Sequence, residues 1–152
     1  MDTKHKLAKV ILSSSKSKRS LIPQSNQIKN AIEVITESLR KNKKIMICGN
    51  GGSAADAQHL TAEFLVRLRP NVNRRPLPIM SLAMDTSTIT ACANDYDFKY
   101  LFSRNFEAFG NKGDVLIVIS TSGDSKNIIE VTKLSKKKKI TVIGFLGKNG
   151  GK

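Results

Sequence analysis

A histidine and a glutamate lie four residues apart on one predicted helix. Residues 53–68, SAADAQHLTAEFLVRL, place Asp56, His59 and Glu63 at i, i+3 and i+7, so the three share a polar stripe. The opposite, apolar side is predicted to hold Ala57, Leu60, Thr61, Phe64 and Leu68. The spacing of His59 and Glu63 is consistent with a surface ion pair. It is equally consistent with a site where the two side chains bind a divalent metal ion and Glu63 also transfers a proton. The residue types leave both interpretations open.

Two loops have the composition of phosphate-binding loops. Residues 49–53, GNGGS, follow an apolar run and precede the helix, and residues 120–125, STSGDS, take the equivalent place after DVLIVI. Backbone N–H groups at a helix start, together with hydroxyls, bind anions. Helix capping and turn formation favour the same residue types. Two such loops at strand ends, however, face one edge of a parallel sheet, which favours a phosphorylated ligand.

A dinucleotide site is the weaker interpretation of the first loop. Gly49, Gly51 and Ala54 fit the pattern G-x-G-x-x-A. The acidic residue expected about 20 positions later is missing, because residues 69–75 read RPNVNRR. The pattern therefore disfavours a nicotinamide enzyme.

The position of Glu63 on its helix restricts which loop could bind the phosphate of a substrate on which Glu63 acts. Glu63 is eleven residues beyond Gly52, which is about 16 Å along a helix. A small sugar phosphate hardly spans that length. If Glu63 does chemistry, the phosphate is expected on the serine-rich loop or in a site shared between subunits.

The elements that must position these residues alternate between strands and helices. Apolar runs predict strands at 43–50, 77–83, 114–121 and 140–147, and helices are predicted at 53–68, 86–94, 98–110 and 125–137. Continuous apolar strands separated by helices require a parallel sheet covered on both faces. The predicted fold is a three-layer α/β sandwich, flavodoxin-like or Rossmann-like, preceded by N-terminal helices.

The two ends of the chain differ from this alternating part. A weakly amphipathic helix is predicted around Leu7 to Leu12, and a second helix after Pro23 with an apolar face of Ile28, Ala31, Ile32, Ile35 and Leu39. Residues 1–42 are expected to pack on the core or on a subunit partner, and residues 43–152 to form the α/β domain. The chain stops at KNGGK without a further helix, so one sheet face is expected to be uncovered.

Composition restricts the class of protein. The net charge is +14, and residues 1–44 hold 11 Lys or Arg against 3 Asp or Glu. No aromatic residues interleave with the basic runs, which disfavours a nucleic-acid partner. No apolar run is long enough for a membrane span and no signal peptide is evident, so a cytoplasmic location is expected. Cys48 and Cys92 are expected to be buried free thiols.

Four segments closely resemble the sugar isomerase (SIS) domain family and, within it, the phosphoheptose isomerases: CGNGGSAADAQHLTAEF, ACANDYDF, GDVLIVISTSGDSKNII and GKNGG. The resemblance implies isomerisation of D-sedoheptulose 7-phosphate to D-glycero-D-manno-heptose 7-phosphate, the first step toward the heptose of lipopolysaccharide or related bacterial glycans. It also implies one zinc ion per subunit and a homotetramer with sites at subunit contacts.

The resemblance assigns roles to residues of this sequence. It makes Glu63 the catalytic base and a substrate contact, and His59 and Glu63 zinc ligands. The remaining substrate contacts that it implies are Asn50, Gly51, Gly52, Ser53, Asn94, Asp95, Ser120, Thr121, Ser122 and Ser125. Ketose–aldose conversion passes through an enediol, which requires a base, an acid partner and stabilisation of the enediolate.

One departure from the family pattern affects the expected activity. The partner histidine of the family, and a glutamine that also contacts the site, lie on a C-terminal helix that these 152 residues do not contain. If this is the whole gene product, it is expected to be inactive or severely impaired. Two alternatives remain open: a non-catalytic SIS scaffold associated with a replication initiator, and an isomerase for another sugar phosphate. Glu63 and the intact STSG run favour the heptose enzyme over the scaffold.

Overall fold

Four apolar segments form one parallel sheet in the computed structural model, which describes residues 2–151. The strands are β1 (Ile45–Gly49), β2 (Ile79–Ser81), β3 (Val115–Ser120) and β4 (Thr141–Leu146). Their order is β2-β1-β3-β4, and every neighbouring pair is parallel. The predicted α/β fold with a parallel sheet is confirmed. The carboxyl ends of all four strands therefore lie at one edge of the sheet, including the ends of β1 and β3, which precede the two predicted loops.

Within the described residues 2–151, six α-helices connect and precede these strands. They are α1 (Thr3–Arg19), α2 (Ser25–Arg40), α3 (Gly52–Leu65), α4 (Thr86–Asp95), α5 (Leu101–Phe109) and α6 (Lys126–Lys137). Short 3-10 turns occupy Ile22–Gln24, Phe98–Tyr100 and Lys148–Gly150. The segment predicted as one helix at 98–110 thus divides into a 3-10 turn and α5. Among residues 2–151, no helix combines the length and apolar character needed to cross a membrane.

The predicted end of α3 was wrong by one turn. The backbone leaves the helical region at Val66 (φ −100°, ψ −89°). Leu68 consequently lies beyond the helix and is 69% exposed, so it does not belong to the apolar side. Ala57 and Thr61 are buried on that side, as predicted.

The core lies on a sheet that is buried on both faces at its centre. Alternate residues of a strand point to opposite faces, and every residue of β1 except Gly49 is fully buried as an apolar side chain. Met46, Cys48 and their β3 neighbours join one cluster with residues of α4, α5 and α6, including Cys92, Leu101, Phe102, Phe106, Ile128 and Val131. Cys48 and Cys92 are free and buried, and burial raises the pKa of the Cys48 thiol. By contrast, β4 is an edge strand with exposed Phe145 and Leu146.

The N-terminal residues form a unit of their own. The structure divides the chain into two compact units, one ending at Val34 and one beginning at Ile35. Helix α1 contains no buried residue. On α2, Ile28 and Ile32 of the predicted apolar face are exposed. The domain limits at 1–42 and 43–152 stay a prediction.

A buried ion pair joins the starting ends of β1 and β3, away from the loops. Lys44 Nζ lies 2.6 Å from Asp114 Oδ2, and the Asp114 side chain is only 1% exposed. The backbone N–H groups of Lys44 and Asn111 also donate to this carboxylate. Asp114 therefore has a partner for each oxygen, and it fixes the register in which the two central strands begin.

Candidate functional site

The two predicted loops meet at one cavity. Its volume is about 190 Å³, and it lies where β1 and β3 end. The lining residues are Asn50, Ser53, Ile119, Ser120, Thr121, Ser122, Ser125 and Lys148. The structure therefore brings six of the predicted contact residues together and adds Lys148, which sequence reasoning missed. A cavity walled by hydroxyls and an amide suits a small polar ligand with many acceptor oxygens.

The helix starts beside the cavity have no side-chain cap. Neither Gly51 before α3 nor Ser125 before α6 makes a side-chain capping hydrogen bond. At α4, by contrast, Asp85 accepts from the backbone N–H groups of Ser87 and Thr88, and hydrogen bonding from Thr88 lowers the pKa of Asp85. Helix capping thus explains Asp85 but not the residues at the two loops. The first N–H groups of α3 and α6 remain suited to an anion.

Turn formation uses part of the serine-rich loop. Ser120 Oγ accepts from the Gly123 N–H, and Ser122 Oγ accepts from the Asp124 N–H, each at 3.1 Å. These bonds shape the loop while the two hydroxyl protons stay available to donate. Turn chemistry and ligand binding are therefore compatible here.

A pair of amides links the two loops. Asn50 Nδ2 donates to Asn127 Oδ1 and Asn127 Nδ2 donates to Asn50 Oδ1, both at 2.9 Å. Asn127, in the first turn of α6, is 2% exposed. The reciprocal bonds leave one N–H and one lone-pair site on each amide, so Asn50 can still present a donor to the cavity that it lines. Asn127 was missed because nothing in the sequence of the predicted helix 125–137 shows that it meets Asn50.

The Asn127→Leu variant is expected to lose about 1–3 kcal/mol of unfolding free energy, because Asn50 is left without its buried partner. Urea unfolding of the single variants and of the double variant Asn50→Leu/Asn127→Leu checks this. The double variant should cost less than the sum of the singles, since it removes both polar groups. Strictly additive losses would contradict the pairing.

His59 and Glu63 lie farther along α3. His59 Nε2 is 3.4 Å from Glu63 Oε1, and the side chains are 74% and 24% exposed. Neither lines the cavity. Within residues 2–151, no group of three His, Cys, Asp or Glu side chains is placed to hold a metal ion. Because catalytic zinc takes three protein ligands, the pair alone is short of a complete zinc site.

An arginine supports the end of α3 that carries Glu63. Arg74 Nη2 donates to the Glu63 backbone carbonyl at 2.6 Å, and Arg74 Nη1 donates to the Phe64 carbonyl at 2.7 Å. A cation at a helix C-terminus binds the last carbonyls and complements the dipole. Sequence reasoning used this loop only to exclude a dinucleotide, and nothing in RPNVNRR distinguishes Arg74 from its neighbours.

The other predicted contact residues do not line the cavity. Asn94 and Asp95 are exposed at the end of α4, where Asn94 Nδ2 donates to Asp95 Oδ1 at 2.8 Å. Gly51 and Gly52 are exposed at the start of α3. The structure therefore places predicted site residues in four places: the cavity, the start of α3, the far part of α3, and the end of α4.

Comparison with known proteins identifies the family. The model of the SIS domain matches residues 11–147. The chain is 51% identical to the phosphoheptose isomerase of Campylobacter concisus, over 80% of this chain and 63% of the relative. It is 43% identical to that of Aromatoleum aromaticum, over 99% of this chain and 76% of the relative.

Solved structures agree with the sequence comparison. A phosphoheptose isomerase from Francisella tularensis superposes with a TM-score of 0.91 at 34% identity, covering 99% of this chain and 78% of that one. For the protein from Neisseria gonorrhoeae the TM-score is 0.82 at 38% identity, covering 97% and 74%. The chain spans 63% of the length of the Campylobacter relative and of the Clostridium acetobutylicum relative. With the match over residues 11–147 and these relatives, the chain belongs to the SIS domain family and, within it, to the phosphoheptose isomerases.

Proposed function

We propose that this chain acts in the isomerisation of D-sedoheptulose 7-phosphate to D-glycero-D-manno-heptose 7-phosphate, the first step toward nucleotide-activated heptose for lipopolysaccharide. The observation that carries the proposal is the hydroxyl-lined cavity between two helix starts without side-chain caps. The phosphoheptose isomerases that the chain resembles supply the reaction class. A cytoplasmic location is part of the same proposal.

The cavity is proposed to bind the phosphate group. The serine-rich loop contributes the hydroxyls of Ser120, Thr121, Ser122 and Ser125, and the start of α6 adds backbone N–H groups. Asn50 and Ser53, from the first loop and the start of α3, also line the cavity. Such donors hold phosphate oxygens in a fixed orientation and leave the sugar to extend away from the cavity.

Glu63 is proposed as the base. Its carboxylate removes a proton from C1 of the ketose, beside the C2 carbonyl, and the resulting enediolate takes up a proton from solvent on O2 to give the enediol. Return of a proton to C2, with the O1 proton lost, gives the aldose. The half-buried position of Glu63 shields the carboxylate while leaving it accessible, and Arg74 holds the backbone beneath it.

Zinc binding is proposed only as a partial site on this chain. His59 and Glu63 supply two donors, and further ligands must come from elsewhere than residues 2–151. A bound divalent ion would supply Lewis-acid stabilisation of an enediolate. No step above depends on it.

We also propose a homotetramer with shared sites. Ser53 lines the cavity whereas Glu63 lies ten residues later on α3, about 15 Å along the helix axis. If the cavity of one copy faced Glu63 of another copy, one substrate molecule could reach both despite that distance.

The experiment that tests the function is NMR of sedoheptulose 7-phosphate incubated with the chain in D₂O. We expect deuterium at C1 of the ketose, whereas aldose should form slowly, because the histidine that the resemblance implies as acid partner is not among residues 1–152. Deuterium at C1 without aldose would show a base that lacks its acid partner. Neither signal, at protein concentrations approaching that of the substrate, would contradict the isomerase and favour the scaffold.

A further inference from the structure

The cavity contains one charged side chain among its lining residues. Lys148 lines it together with neutral hydroxyl, amide and aliphatic groups. The residue is exposed and has a left-handed backbone, with φ of 44°. It belongs to the short turn Lys148–Gly150 that follows β4. A strand other than those bearing the two loops therefore brings a cation to the same site.

The turn that carries Lys148 is held against the serine-rich loop by backbone contacts. The Gly147 N–H donates to the Ser120 carbonyl at 3.0 Å. A Cβ atom on Gly147 would collide with the Thr121 carbonyl oxygen, and one on Gly123 would collide with the Gly150 carbonyl. Gly123 also has φ of 75°, a conformation that favours glycine. The close approach fixes the position of the Lys148 backbone relative to the hydroxyls of the serine-rich loop.

A phosphate monoester needs such a charge. It carries about −1.5 to −2 at neutral pH, whereas the hydroxyls and backbone N–H groups of the cavity supply only partial charges. A lysine ammonium donates up to three hydrogen bonds and is a compact point charge for phosphate. Lys148 is the residue among those lining the cavity that can supply a full positive charge.

We propose that Lys148 binds the phosphate group of the ligand held by the serine-rich loop, and that it makes the site selective for phosphorylated over neutral sugars. This inference rests on the proposed function, since it assumes a phosphate ester in the cavity. Lys148, in the turn Lys148–Gly150, would thus determine specificity together with the hydroxyls of the serine-rich loop.

Isothermal titration of the full chain with sedoheptulose 7-phosphate, and separately with inorganic phosphate, tests the inference. Lys148→Gln is expected to raise the Kd of both ligands about tenfold, the size of a charge-assisted hydrogen bond. Lys148→Arg should stay close to wild type. Glutamine and arginine have to adopt the same left-handed backbone conformation as lysine at this position. The thermal unfolding temperatures of both variants should therefore match that of wild type.

The matched control is Lys112→Gln. Lys112 is exposed in the turn before β3, at the opposite edge of the sheet, and the variant removes the same charge. An unchanged Kd in this control supports a local contact. Equal loss in the Lys112 and Lys148 variants, or no loss in Lys148→Gln while wild type binds, would overturn the inference and leave the proposed function standing. Absence of binding by wild type would overturn both.

Discussion

Replacing Glu63 by glutamine is expected to lower the rate of deuterium incorporation at C1 of sedoheptulose 7-phosphate by about 10²–10⁴-fold, the usual contribution of a general base. The amide keeps the size of the side chain but cannot accept the C1 proton. Binding should persist, because Glu63 does not line the cavity proposed for the phosphate. The measurement is the initial exchange rate by NMR at saturating ligand, with the Kd determined separately.

The control for this variant is Asp56→Asn. Asp56 lies on the same polar stripe of α3, two turns before Glu63, and it is exposed. The same change from carboxylate to amide there should leave the exchange rate unchanged. Comparable losses in the two variants, or exchange that survives Glu63→Gln, would show that Glu63 is not the base.

The Asp114→Ala variant is expected to lower the free energy of unfolding by about 3 kcal/mol. The carboxylate accepts the Lys44 ammonium and two backbone N–H groups while only 1% exposed. Its removal leaves those N–H groups unpaired. Removing one partner of a buried ion pair costs about 3–5 kcal/mol of unfolding free energy. The low end of that range applies here because Lys44 is 27% exposed and can turn toward water.

Urea unfolding measures this effect, and Glu37→Gln is its control. Glu37 pairs with Lys41 at 2.9 Å on an exposed helix face, and the hydrogen bond from Lys41 lowers the pKa of Glu37. Exposed pairs contribute little, so the midpoint of this variant should stay near wild type. Equal midpoints for Asp114→Ala and wild type would contradict the structural role of the buried pair.

The sheet could be predicted because its strands are continuous apolar runs. Segments such as IMICG and VLIVIS are buried on both faces, and only a covered parallel sheet accommodates them. The convergence of the two loops followed from the same topology. Helix ends were less predictable: the apolar spacing extends to Leu68, whereas the backbone turns away at Val66. The Glu63 and Phe64 carbonyls just before that point accept hydrogen bonds from Arg74.

The missed residues act through contacts between distant parts of the chain. Asn127 pairs with a residue 77 positions away, and Arg74 binds carbonyls 10 and 11 positions away. Lys148 reaches the cavity because glycine backbones let two loops touch. Such contacts leave no periodic signal, since the sequence around a polar side chain does not show which distant residue it will meet.

Backbone amide shifts of the ¹⁵N-labelled chain on titration with sedoheptulose 7-phosphate, compared with unphosphorylated sedoheptulose, test whether the two loops bind a sugar phosphate. The phosphorylated sugar is expected to shift the amides of residues 120–127 and 51–55, and the neutral sugar is expected to shift them far less. Unchanged amides at millimolar ligand, or shifts confined to residues outside the two loops, would contradict a sugar-phosphate site at this edge of the sheet.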